Sequence, residues 1–170
     1  LRLYGYRFNP PIKTALVVLF NQCVISYLLL NTLPGSLSNP NITFESSLNR
    51  LSWMFIYIMT YYITHCFWFY WSHRLLHTRF FWTHVHYIHH IYRTTLPYAT
   101  FYCHPIEHAM TNLMSVFIGP IILPCDTITL KIWIHIGVLH SLNAHFSEMR
   151  GDTPGTQDLH HTFYRFNYGT

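Results

Sequence analysis

Residues 71–90 read "WSHRLLHTRFFWTHVHYIHH" and hold six histidines in twenty positions, directly after an uncharged apolar run. Imidazole is costly to bury and has few uses at that density. His73 and His77 are four apart, so on a helix they point the same way, about 40° from each other around the axis. His86, His89 and His90 are spaced i, i+3, i+4, which predicts one face of an α-helix. On that same helix His84 lies about 160° from His86. It is therefore expected to stay out of any site the others form.

Further pairs follow. "HPIEH" carries His104 and His108, "LHSLNAH" carries His140 and His145, and "QDLHH" carries His160 and His161. His65 and His135 stand singly in apolar runs. With His84 they read as satisfied core or interface residues. The grouped histidines resist that reading, because several half-charged rings on one face repel unless something negative or metallic joins them. Neutral imidazole is the commonest metal side-chain ligand. The supply of rings exceeds the four ligands of a structural zinc site, and no cysteine pair accompanies them. The pattern predicts two metals. Imidazole suits iron, zinc, copper and nickel alike.

Around this centre the chain is membrane-like. Hydrophobic residues make up 51% and charged residues only 9% of the 170 positions, against roughly 25% charged in soluble domains. "TALVVLFNQCVISYLLL", Thr14 to Leu30, and "LSWMFIYIMTYYITHCFWFYW", Leu51 to Trp71, are free of acids and bases. The second would cover about 30 Å as a helix, one hydrocarbon core. Two more apolar pieces, Met110 to Pro124 and Thr127 to Phe146, form either a hairpin through the bilayer or two re-entrant helices. Arg2, Arg7 and Lys13 precede the first span, and Arg74, Arg79 and Arg93 follow the second. The positive-inside rule then puts the termini and the histidines on the cytosolic side and residues 31–50 opposite. The triplet Asn41-Ile42-Thr43 fits a lumenal loop. "FWFYW" at 67–71 and "RFFW" at 79–82 read as an interfacial aromatic belt, with a collar around a lipid site as the sharper alternative.

Several classes are excluded. The net charge of +4 comes from scattered residues, so nucleic acid is not an expected partner. No GxGxxG fingerprint is present, so the chain does not carry its own nicotinamide site. Cys23, Cys66, Cys103 and Cys125 form no CxxC pair and read as small core hydrophobes. A metal transporter would place its ligands near the bilayer midplane, whereas most histidines here lie outside the apolar runs. The chain starts at Leu1 and stops at "FNYGT", which reads as a fragment.

The order of the boxes resembles the fatty acid hydroxylase and sterol desaturase superfamily over roughly residues 51–170. The quoted features are "HRLLH" after a long span, "HYIHH", "HPIEH", an apolar hairpin, "NAHF", then "DLHH" and "FNYG". "HPIEHAMTNLMSVFIGPIIL" is most similar to fatty acid hydroxylase domain-containing proteins beside the methylsterol monooxygenase branch. The resemblance implies an all-α integral membrane helical bundle with a cytosolic, histidine-rich di-metal cap. Residues 1–50 would supply a basic segment, a first span and a lumenal loop, and 51–170 the catalytic domain.

The resemblance further implies two Fe, with zinc as a possible substitute, held by His73, His77, His86, His89, His90, His145, His160 and His161. His104, His108, His140 and Gln157 stand in a second tier, and Pro105 suits a first helical turn with His104 as its cap. The implied activity is dioxygen-dependent hydroxylation or oxidation of a sterol or fatty-acyl C–H bond in the endoplasmic reticulum membrane. Electrons would come from a cytochrome b5-type donor with NAD(P)H. The ending "HHTFYRFNYG" is similar to sterol C5-desaturases, so desaturation stays an alternative. One departure is specific: the family's third box opens on histidine, and here Gln157 stands in that place. That substitution motivates a second alternative, a non-catalytic metal-binding relative.

Overall fold

The computed structural model describes residues 11–32, 37–92, 99–145, 156–164 and 168–169. The basic residues Arg2, Arg7 and Arg93 and the segment 146–155 lie outside the described residues. Those described are mostly helical, with no strand beyond one isolated bridge between Ser38 and Cys125.

The first apolar run folds as α1 (Pro11–Leu19), a π-helical turn (Phe20–Ile25) and α2 (Ser26–Thr32). Continuous helix from Ile12 to Thr32 is long and apolar enough to cross a membrane, a few residues more than the apolar run alone suggests. The π turn has a polar cause. Asn21 is fully buried, and its amide donates to the carbonyls of Phe101 (3.1 Å) and Cys103 (2.9 Å). An inserted residue widens the helix where that side chain must turn inward.

The second run lies within α3 (Ser47–Leu76), capped by the Ser46 hydroxyl on the Asn49 N–H. It runs five residues past the apolar segment and so carries His73 beyond it. Its many Tyr, Trp, Thr and His residues keep it below the hydropathy that marks α1–α2. The other apolar pieces form a helical hairpin: a π turn (His108–Leu113) leads into α6 (Met114–Ile122), and α7 (Thr127–Ala144) returns. Asp126 caps α7 and pairs with Arg50 at 3.2 Å, and the Asn39 N–H donates to the Cys125 carbonyl. The hairpin tip thus sits with residues 37–50, at the opposite end of α3 from His73.

α3 packs most closely on α6, and Gly119 makes that possible. A Cβ there would lie 2.6 Å from Tyr61 Cδ1 and 3.1 Å from the Tyr61 Cα. Tyr61, Tyr57, Cys125 and Trp133 form the buried core between α3 and the hairpin. The Trp133 indole N–H donates to the Val116 carbonyl and the Tyr61 hydroxyl to the Leu123 carbonyl. The short pieces α4 (Arg79–His84), α5 (Pro105–Glu107) and α8 (Thr156–Phe163) surround the histidine end. All four cysteines are free; Cys23 is exposed, which corrects its reading as a core residue.

Candidate metal centre

His73 sits in the last turn of α3, and His77 caps its C-terminus. α4 ends at His84, Val85 breaks the helix, and His86–Ile91 continues as a 3₁₀ turn. This corrects the single α-helical face expected for His86, His89 and His90. A 3₁₀ turn advances 120° per residue, so His86 and His89 eclipse and His90 turns away. The rings of His86 and His89 indeed stack, 5.7 Å apart at 28°.

Five imidazoles converge. His73, His77, His86, His90 and His160 each bring one nitrogen within 4.8 Å of all the others. Nε2 of His86 lies 3.2 Å from Nε2 of His73, 3.0 Å from that of His77 and 3.0 Å from that of His90; those of His77 and His160 meet at 3.1 Å. A second group, His89, His145 and His161, is as tight. The groups adjoin, with His90 and His161 ring centroids 4.4 Å apart. Neighbours in sequence serve different groups: His89 and His90 divide between them, as do His160 and His161.

Four of the rings commit their outer nitrogen elsewhere. Nδ1–H of His73 donates to the Tyr168 carbonyl (3.0 Å), that of His161 to the Tyr92 carbonyl (2.8 Å) and that of His145 to the Ser141 carbonyl (3.0 Å). Nδ1–H of His86 donates to Oε1 of Glu107 at 2.8 Å, and both residues are buried. This fixes the tautomer and turns the Nε2 lone pair inward. His73 and His86 then face each other lone pair to lone pair at 3.2 Å, which repels unless a cation sits among them. A metal with nitrogen bonds of about 2.0–2.1 Å places ligands at right angles about 3.0 Å apart. The donor set fits a metal.

The electrostatics agree. Burial holds His86 and His89 down to about 3, and burial with neighbouring His86 and His160 does the same for His77. His90 and His161 are also held well below the usual imidazole value, by burial first and then by their imidazole neighbours. All five rings are neutral at pH 7, the form that binds metal. Burial also pushes the Glu107 carboxyl up to about 8.

Around the groups stand Trp82, with ring centroids 5.1 Å from His77 and 5.0 Å from His90, and Tyr164, 5.1 Å from His90. Tyr164 ends α8 in the left-handed region, φ 60°, a common helix stop that here lacks the usual glycine. A small cavity of about 40 Å³ reaches His73, His89, His145, Glu107, Thr111 and Gln157. That holds about two waters.

The second-tier residues divide. Gln157 is buried, lines that cavity and donates its amide to the Gly169 carbonyl at 3.2 Å. His104 caps α5, accepting from the Ile106 N–H, as its place before Pro105 suggests. His108 is buried beside Asn112 and belongs to neither group. His140 also lies outside both. His84 is exposed, stacks on Phe80 and bonds its carbonyl; His135 bonds the Lys131 carbonyl. His65 is buried, but neither ring nitrogen has a hydrogen-bond partner. That corrects the expectation of a satisfied core histidine. Glu107 was not singled out from sequence. The available signal was an acid between two histidines in a chain with only 6 Asp and Glu.

A profile of the fatty acid hydroxylase family matches residues 49–170. Human (Homo sapiens) fatty acid hydroxylase domain-containing protein 2 is 28% identical over 154 residues, covering 89% of this chain and 46% of that protein. The very-long-chain aldehyde decarbonylase GL1-11 of Oryza sativa subsp. indica is 34% identical over 134 residues, covering 74% and 50%. Methylsterol monooxygenase 2-1 of Arabidopsis thaliana is 35% identical over 103 residues, covering 59% and 38%. The chain spans about half the length of the curated relatives it matches. No solved structure matches it.

Proposed function

Because the chain belongs to the fatty acid hydroxylase family, we propose that it is the catalytic part of a membrane-bound, two-metal oxygenase that oxidises a C–H bond of a sterol or fatty-acyl lipid. One observation carries this reading: eight imidazoles in two adjoining groups, with Nε2 atoms packed at 3.0–3.2 Å in the larger one. His73, His77, His86, His90 and His160 would hold one iron, and His89, His145 and His161 the other. Those metals would supply dioxygen reduction and C–H oxidation, chemistry that side chains do not perform.

The chain's own residues prepare the site. Glu107 and the carbonyls of Tyr168, Tyr92 and Ser141 keep the ligand tautomers. Trp82 and Tyr164 pack against the rings and limit water on one flank. Thr111 and Gln157 line the small cavity between the groups. Hydroxylation consumes the substrate C–H, dioxygen, two electrons and two protons, and releases the alcohol and water. The electrons come from outside the chain, in this reading from a cytochrome b5-type donor with NAD(P)H.

Membrane embedding is supported by large apolar side chains on the outer faces of α1–α2 and α3. Ile12, Leu16, Tyr27, Phe55, Ile63 and Phe67 are all more than 60% exposed. We place the protein in the endoplasmic reticulum membrane as a multi-pass bundle, histidines toward the cytosol. A non-catalytic relative is the second reading, favoured by Gln157 where the family has histidine.

The test is turnover in lipid nanodiscs with iron, a chemical reductant and ¹⁸O-labelled dioxygen, using sterol and fatty-acyl substrates. Label in a lipid product supports oxygenation. An unlabelled product with a new double bond supports desaturation. Iron uptake without any turnover favours the non-catalytic reading.

A further inference from the structure

Eight residues below His73 on α3, about 12 Å along the axis, His65 is 4% exposed. Both its ring nitrogens lack a hydrogen-bond partner, and so does the buried Nε2 atom of the half-buried His140. The two rings meet edge to face, 6.3 Å between centroids. Tyr62, Phe69 and Trp133 pack around them. The Ser115 backbone also faces His65, short of hydrogen-bonding geometry. An unmade bond on a buried polar atom costs more than a made one returns, and three such atoms among packed aromatic rings point to a missing partner.

The chemistry of that partner follows from the rings. A neutral imidazole offers one N–H and one lone pair. Two facing rings can give an N–H to a single oxygen and take its O–H in return. A hydroxyl uses both halves; a carboxylate would want a cation, and no lysine or arginine lines the cavity beyond.

Position links the His65–His140 pair to the metal centre. Phe69 packs on His65 at 5.9 Å and on His73 at 5.2 Å, and it forms part of the cavity wall with Ser141, the residue after His140. One aromatic ring therefore separates the pair from the histidine groups. On the outer side Tyr62 is 42% and Leu139 65% exposed, so the pair lies close to the apolar exterior. We propose that His65 and His140 form the head-group site for a hydroxylated, uncharged lipid. Its hydroxyl bridges the two imidazoles while its carbon skeleton passes Phe69 toward the metal centre. This rests on the lipid-oxygenase reading and names the substrate class.

The experiment is lipid binding to the chain in nanodiscs, metal-free and iron-loaded, with tritiated cholesterol and tritiated hexadecanol as probes. Their methyl ethers and hexadecanoic acid serve as competitors. We expect one alcohol to bind and to identify the lipid source. Its ether, which cannot donate, should compete about tenfold more weakly. His65→Phe and His140→Phe should each weaken alcohol binding about tenfold and leave metal content unchanged, while His65→Gln, which keeps a donor and an acceptor, should retain most of it. Binding of neither alcohol, equal competition by the ether, or unchanged binding in His65→Phe would overturn the site and leave the pair holding an ordered water. Alcohol binding by a chain that takes up no metal would instead sink the oxygenase reading and keep the head-group site.

Discussion

Oε1 of Glu107 lies 2.8 Å from Nδ1 of His86, and no part of the His86 side chain is exposed to solvent. That bond aims Nε2 of His86 at three other imidazoles. Removing it frees the ring to rotate or change tautomer. Glu107→Leu should lower metal affinity about 10–100-fold, the usual cost of losing such a support. Glu107→Gln, which keeps an acceptor, should lose less. Competitive titration with a chromophoric chelator measures both.

The division of neighbouring histidines between groups makes a second prediction. His89→Ala should remove one metal of the pair and His90→Ala the other, with the remaining ion retained. His161→Ala should behave like His89→Ala, and His160→Ala like His90→Ala. Metal content per chain decides this. His84→Ala should leave metal content unchanged, since its ring is exposed and bonded to its own turn.

Gln157 shares its small cavity with His89 and His145 of the smaller group and with His73 of the larger, and it is held by the Gly169 carbonyl. Gln157→His should tighten retention of the ion at His89, His145 and His161 and leave the larger group unaffected. A variant that loses metal would show that Gln157 serves mainly to anchor residue 169.

For the metal-free protein the pH dependence has a definite sign. His77, His86 and His89 are held near 3 when folded, against about 6.5 when unfolded. Below about pH 6.5 the unfolded chain binds more protons, so stability is lost as pH falls toward 3. Glu107 acts oppositely: raised to about 8, it holds a proton when folded and loses its contribution as pH climbs from about 4.5 to 8. Several imidazoles outweigh one carboxyl at low pH, and above 6.5 the carboxyl acts alone. Thermal unfolding with chelator present should show a maximum near pH 6.5 and a decline on both sides.

Gly119→Ala should separate α3 from α6, because the new Cβ meets backbone as well as the Tyr61 ring. Overpacking of this kind costs about 1–3 kcal/mol. Gly137→Ala, whose Cβ would come no closer than 3.4 Å to Val116, should be near neutral. Unfolding temperatures in one detergent compare them.

The helices were legible in the sequence because they rest on a local signal: apolar run length gives α1–α2 and α3. Spacing also marks His73, His77, His86, His89 and His90 as grouped, but it marks His104/His108 and His140/His145 equally, and only the family resemblance sorts His145, His160 and His161 from those pairs. The partition between two groups was not legible. It depends on the helix breaking at Val85 and tightening into a 3₁₀ turn, a tertiary outcome that periodicity at 3.6 does not register. The role of Glu107 is not legible either, because it depends on a contact with His86, twenty-one positions earlier. The unpaired state of His65 is not legible for the converse reason: solitary spacing says nothing about whether a partner stands across the helix interface.

The most direct measurement is metal content per chain after gentle detergent purification, with iron and zinc counted separately and repeated after anaerobic iron loading. We expect about two irons per chain, falling to about one in His89→Ala and in His90→Ala. No iron after loading, or a single ion that survives either substitution unchanged, would contradict a two-metal oxygenase centre.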